Sequence, residues 1–174
     1  MVDTTPSARS IATGFTLVEM LVTMSIVAIL MGMAAPSLQS FIQDSRLTAE
    51  AQKFLAAIQT ARSEASRINA TALLCASADK AACGNDWTKN KIVFADVDAN
   101  RVRSNAEPLV FSADPSAALI TITGPAAGWL QFYSSGQTNG VATFKLCDSR
   151  SGNVGRLITV EATGRPNMAI ATCP

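Results

Sequence analysis

Four groups of residues in this chain have types and spacings that could do chemistry. Asp96-Val97-Asp98-Ala99-Asn100, with Glu107 further on, places oxygen ligands at positions one, three, five and twelve of a calcium-loop template. Against that reading, the sixth position is Arg101 where a sharp turn wants Gly, and Arg103 adds a second cation. The flanks also look like strands, so the plainer reading is a polar hairpin loop. The second group is Cys75, Cys83, Cys147 and Cys173. No pair is Cys-x-x-Cys, and four cysteines allow three pairings. The simplest is local, Cys75–Cys83 and Cys147–Cys173, closing the edges of a C-terminal domain in an oxidising compartment. The other reading is four buried thiols acting as small hydrophobes. The third group is a basic C-terminal stretch. From Val141 to Pro174 the cations Lys145, Arg150, Arg156 and Arg165 outnumber the anions Asp148 and Glu161. The fourth is a lone acid, Glu19, inside an apolar run.

Composition narrows these options. The 174 residues carry a formal charge of +1, 48% hydrophobic residues and only 16% charged ones. Soluble domains average about 25% charged, so an apolar segment is expected. With no His, His-ligated zinc, Ser-His-Asp and Cys-His catalysis are excluded. No nucleophile–base set, glycine-rich phosphate loop or metal-binding cysteine cluster is present, so an enzyme is not expected and no cofactor is called for. The near-neutral charge argues against a strongly basic nucleic-acid binder, though not against a basic patch. Trp87, Trp129, Phe132 and Tyr133 read as core or sheet-face residues rather than a base-stacking platform.

The elements that must position these groups follow from periodicity. Phe15 to Ala35 is 21 residues with one charge, Glu19, and about 20 such residues span the hydrocarbon core as a helix. The core is too long for a secretory signal peptide, and Pro36 and Met33 spoil a cut after Ala35. A plain membrane anchor accounts for everything except Glu19, because a charge in hydrocarbon is costly and marks a functional site with a partner. Arg9 and the terminal amine weakly favour a cytoplasmic N-terminus. A cut after Gly14 would create an amine on Phe15, and that ammonium could pair with Glu19 of a neighbouring helix.

The helix is expected to continue past Pro36 to Ile68, bending at Gly32 and Pro36. Leu47, Ala51, Phe54, Leu55, Ile58, Ala61, Ala65 and Ile68 recur at spacings of three and four, the mark of one buried face. Gln52, Lys53, Gln59, Arg62, Ser63 and Arg67 fall on the other. From Phe15 to Ile68 such a helix is about 80 Å long, more than twice the hydrocarbon thickness. After Ile68, turn residues punctuate short β-branched and aromatic runs. Strands are expected at Thr71–Cys75, Lys91–Ala95, Pro108–Ser112, Leu119–Thr123, Trp129–Tyr133, Val141–Cys147, Arg156–Ala162 and Met168–Thr172. They should form antiparallel pairings, with the stripe on residues 47–68 covering one sheet.

Gly14-Phe15-Thr16-Leu17-Val18-Glu19, followed by the apolar helix and Pro36, resembles the N-terminal signature of type IV pilins and type II secretion pseudopilins. The rest resembles the GspH/FimT branch, which groups minor pseudopilins with minor pilins. The matching stretches are Ala61-Arg62-Ser63-Glu64-Ala65, Leu74-Cys75, Trp87 with Ile92-Val93-Phe94-Ala95-Asp96, Phe144-Lys145-Leu146-Cys147 and Ala162-Thr163-Gly164-Arg165-Pro166. The resemblance implies that a prepilin peptidase cuts between Gly14 and Phe15 on the cytoplasmic side and N-methylates Phe15. It further implies that Glu19 serves assembly into a helical fibre. DNA-binding relatives carry Gly-Arg-x-Arg near the C-terminus; here Gly164-Arg165-Pro166-Asn167 keeps only the first Arg, and fewer cations mean weaker phosphate binding.

The expected class is α+β and pilin-like, a long N-terminal helix packed on a C-terminal antiparallel β domain. The expected divisions are a leader at 1–14, a membrane-spanning half-helix at 15–36, a periplasmic amphipathic half at 37–68 and a periplasmic β domain at 69–174. The resulting reading is a non-catalytic minor pilin or pseudopilin, anchored by a single pass in the inner membrane and later part of a pilus or pseudopilus. Its partners would be other pilins or pseudopilins, the prepilin peptidase, the inner-membrane assembly platform and membrane lipid. The alternative is a DNA-binding minor pilin for uptake, using Arg165, Arg156, Arg150 and Lys145.

Overall fold

The computed structural model describes residues 14–104 and 106–174, with the side chains of 34–36 also outside the description. Arg9 and all but the last residue of the expected leader therefore lie outside the described residues. Among the described residues a single helix, α1, spans Leu17–Ile68. Its end has a local cause. Asn69 takes a left-handed φ of 51°, and the Ala70 N–H donates to the Ala65 carbonyl at 3.3 Å, the closing bond of a Schellman motif. Backbone helix runs through Gly32 and Pro36, while the Pro36 side chain, half of the expected bend, lies outside the described residues.

The chain divides into two units between Phe41 and Ile42. In the first, large apolar side chains from Leu17 to Phe41 are exposed on every side of the helix. The second combines residues 42–68 of α1 with eight strands: β1 (Thr71–Ser77), β2 (Asn90–Asp96), β3 (Leu109–Ala113), β4 (Thr121–Thr123), β5 (Trp129–Phe132), β6 (Ala142–Cys147), β7 (Gly152–Val160) and β8 (Pro166–Cys173). All pairings between these strands are antiparallel. They form two four-stranded sheets, ordered β3-β2-β1-β5 and β4-β6-β7-β8. The expectation of one sheet under the helix is therefore corrected. The stripe from Leu47 to Ala65 shares a single core with Leu74, Val93 and Leu130 of one sheet and Phe144, Leu146 and Ile158 of the other.

Alternation explains the strands. In β6, Ala142, Phe144 and Leu146 point into the core while Thr143 is exposed, the period-two pattern of a strand with one buried face. Strands β1 and β2 are buried on both faces. Leu73, Cys75, Ile92 and Phe94 form a second apolar cluster, against which Cys83 and Trp129 pack. At the centre of the main core Phe54 of α1 meets Phe144 at 4.5 Å and Trp87 at 5.7 Å, and those two rings meet edge-on at 4.9 Å. The Trp87 indole N–H donates to the Pro125 carbonyl at 3.2 Å, so its polar edge is satisfied at 2% exposure.

Candidate functional site

The head of α1 starts at Thr16. Its hydroxyl accepts from the Glu19 N–H at 3.2 Å, and its carbonyl accepts from the Met20 N–H at 3.2 Å. Thr-x-x-Glu is the spacing of a capping box, a second reason for an acid at this position that the sequence reasoning missed although the four residues spell it. The negative side chain also sits in the first turn, where the helix dipole favours it. Phe15, immediately ahead, is 78% exposed. Among the described residues no ion pair reaches the Glu19 carboxylate. The two hydroxyls further along are satisfied within the helix: Thr23 donates to the Met20 carbonyl at 3.0 Å and Ser25 to the Leu21 carbonyl at 2.8 Å. Both can therefore enter hydrocarbon without an unmet bond. By length and composition α1 is able to cross a membrane.

The basic residues are not brought together. Arg150 is bound by two carboxylates, Asp148 at 2.7 Å and Asp44 of α1 at 2.9 Å. The Arg150 bonds hold the Asp148 carboxyl below its ordinary 3.8, against a smaller opposing effect of burial. Arg156 is turned onto its own strand, donating to the Val154 carbonyl at 2.8 Å, the Gly155 carbonyl at 3.2 Å and the Thr48 hydroxyl at 3.2 Å. Lys145 is half-buried on β6. Arg165 is exposed and lines an open cleft of about 480 Å³ with Gln59, Arg62, Ser63, Ser66 and Pro166. Its turn needs Gly164, which has φ 75°. A Cβ there would stand 1.9 Å from the Gly136 carbonyl oxygen. Arg62 is a member of this cleft that the sequence reading left on the helix's polar face. Nothing in the linear spacing links position 62 to 165.

Cys75 bonds Cys83, and Cys147 bonds Cys173. Both bridges follow the local pairing, and Cys75 lies on β1, an interior strand of its sheet. The second bridge ties β6 to β8 across β7. That crossing explains Gly155, since a Cβ there would meet the Cys173 sulfur at 2.6 Å.

The loop after β2 gathers three carboxylates. One oxygen each from Asp96, Asp98 and Glu107 lies within 4.8 Å of the others. Glu107, 5% exposed, accepts from the Val97 N–H at 3.1 Å and the Ser104 N–H at 2.8 Å. Asp96 is fully buried; its Oδ1 accepts from the Arg101 N–H at 3.2 Å and its Oδ2 has no partner. Burial pushes the Asp96 carboxyl above its ordinary range, and the charges of Glu107 and Asp98 push the same way. Asn100 does not join them. Its amide donates to Asp98 at 2.7 Å and its oxygen accepts from the Val102 N–H at 2.6 Å.

Trp87 and Phe132 are core residues, and Trp129 is half-buried under the Arg101 guanidinium at 4.7 Å. Tyr133, at 41% exposure, stands apart from them at the surface.

Comparison with known proteins agrees with this architecture. The family described as Type II transport protein GspH matches residues 50–164, and the prokaryotic N-terminal methylation motif matches residues 9–35. A crystal structure of the type IV minor pilin FimU of Pseudomonas aeruginosa (strain PAO1) superposes with a TM-score of 0.59. It shares 23% identity and covers 74% of this chain and 92% of that one. A second crystal form of the same pilin gives 0.56 and 22%, covering 71% and 92%. No curated protein matches the chain. The likeness to FimU is one of fold. The family pattern, by contrast, runs from the buried half of α1 through both sheets to the β7–β8 turn, and the chain belongs to the GspH family of minor pilins and pseudopilins.

Proposed function

We propose that this chain is a minor pilin or pseudopilin of a type IV pilus or type II secretion pseudopilus, a structural and non-catalytic subunit that moves from the inner membrane into a fibre. One observation carries the reading: a helix segment apolar on every exposed side, headed by an acid held in the first turn. A lone helix with such a surface is stable only in hydrocarbon or bundled with other apolar helices. In this reading residues 1–14 are a leader and 15–36 span the membrane. Residues 37–68 stand in the periplasm, and 69–174 form the periplasmic β domain. A prepilin peptidase cleaves after Gly14 and methylates the Phe15 amine. An assembly platform then extracts the subunit, and Glu19 neutralises the Phe15 amine of a neighbour. Pairing removes most of the cost each charge carries in an apolar fibre core.

The methylation motif supports the processing step, and the fold shared with a minor pilin supports a fibre subunit. Mass spectrometry of the native chain tests the reading. A mature end at N-methylated Phe15 is expected. An intact Met1, or an end beyond Ala35, would overturn it.

A second reading, DNA binding during uptake, is favoured by one feature, the exposed Arg62 and Arg165 lining one cleft. It is weakened by the engagement of Arg150 and Arg156 elsewhere. A gel shift with the full chain in non-ionic detergent at low salt decides. Retardation that Arg165→Ala and Arg62→Ala reduce would support it, and unchanged mobility would remove it.

A further inference from the structure

Two buried side-chain atoms among the described residues lack a partner, Asp96 Oδ2 and Arg103 Nε, both at the loop after β2, and the surroundings of the Asp96 oxygen make it more than a packing defect. Buried carboxylate oxygens ordinarily find a donor or an ion. Here the neighbours are two further carboxylates, with one oxygen of each of the three within 4.8 Å of the others. Like charges so placed repel unless something positive stands between them. Backbone N–H groups answer some of the oxygens: Arg101 on Asp96, Val97 and Ser104 on Glu107, Asn100 on Asp98. None answers Oδ2.

We propose that Asp96, Asp98 and Glu107 bind a calcium ion that closes the loop between β2 and β3. The ligand set is all oxygen, which suits a hard cation and not zinc or copper. The three oxygens lie within 4.8 Å of one another, close enough to converge on one ion, and a loop that offers several protein oxygens in an irregular arrangement suits calcium, whereas magnesium demands near-ideal octahedral geometry. Exposed Asp98 leaves room for water in the remaining coordination positions.

The loop's own geometry meets the objection raised by Arg101 at the sixth position. Arg101 takes φ 65° and Ala99 φ 57°, so the backbone makes the left-handed turn for which calcium loops favour Gly. The Arg101 guanidinium lies over the Trp129 ring at 4.7 Å, which gives that cation a partner of its own. The site differs from the helix-flanked loop in two ways. A strand leads into it, and the fifth position, Asn100, is occupied with local hydrogen bonds.

The test uses the full chain in non-ionic detergent, stripped with EDTA, with melting temperature followed as calcium chloride rises to about 10 mM at constant ionic strength. A site in the range of about 0.1–1 mM, usual outside the cytosol, should raise Tm by about 3–10 °C. Magnesium at the same concentration should give less than half that shift. Asp98→Asn changes an exposed side chain, so it should melt near wild type in EDTA and lose most of the calcium response. Asp96→Asn should melt higher than wild type in EDTA, having lost an unmatched buried charge, and should not respond to calcium. A wild-type shift under about 1 °C, or a response that survives in Asp98→Asn, would overturn the site. An equal response to magnesium would overturn the choice of ion.

Discussion

The two halves of α1 share a backbone conformation and differ in everything their side chains meet. Up to Phe41 the large apolar residues are exposed around the whole circumference, Leu17 at 76% and Met33 at 73%. From Leu47 to Ala65 the apolar residues keep to one stripe and are buried against two sheets. Uniform apolarity is the pattern of a helix whose solvent is lipid or other helices. A stripe with a polar back is the pattern of a helix that belongs to a domain. One element therefore carries two partners' worth of information, and the division at Phe41 and Ile42 marks where one set of contacts gives way to the other.

The contrast can be attacked by substitution in each half. Phe54→Ala removes the ring that joins Trp87 and Phe144, and should cost about 3–5 kcal/mol in a denaturant titration of the β domain. Removing the Cys147–Cys173 bridge by a double serine change should cost about 3.5 kcal/mol on loop-entropy grounds. The Cys75–Cys83 bridge closes a shorter loop and should cost about 2.5 kcal/mol. Parallel melts of the two oxidised variants would show whether that order holds.

Arg150→Ala should cost about 1–2 kcal/mol, since it leaves Asp148 partly buried without its partner. Its pH signature is distinct. The folded-state Asp148 carboxyl is held below 3.8. The stability it adds is therefore present above that ordinary value and lost as pH falls through the lower folded value. Acid unfolding monitored by circular dichroism should begin at a higher pH in Arg150→Ala than in wild type. At the other end of the scale, Leu21→Ala, in the exposed half, should change the melting of the β domain by less than about 0.5 kcal/mol. A large loss there would break the contrast between the halves.

Much of this was legible in the amino-acid order, for identifiable reasons. The buried stripe lies where apolar spacings of three and four place it, and the eight strands lie where turn residues bracket short β-branched and aromatic runs, because each signal is a local property. Strand β7 is the exception at its start. The strand is expected from Arg156, yet it begins at Gly152, with Gly155 required by the sulfur of Cys173 beside it. The partition into two sheets was not legible, since the pairing of β5 with β1 joins segments far apart in sequence. The basic tail misled for a similar reason. Asp148 stands two residues from Arg150 and was visible, but Asp44 reaches it across the fold. In the acidic loop the order of residues showed the ligand types. Only the fold exposed the oxygen left without a partner and the left-handed backbone at Arg101.

The central claim is that the acid at the head of α1 acts by charge between subunits and not merely as a cap on its own helix. Glu19→Gln separates the two, because Gln serves a capping box as well as Glu does but cannot neutralise an ammonium. The measurement is the amount of this chain in sheared fibres relative to the amount processed in the membrane, for wild type and Glu19→Gln. The account predicts normal processing and near absence of the variant from fibres. Fibres containing the variant at wild-type levels would contradict it.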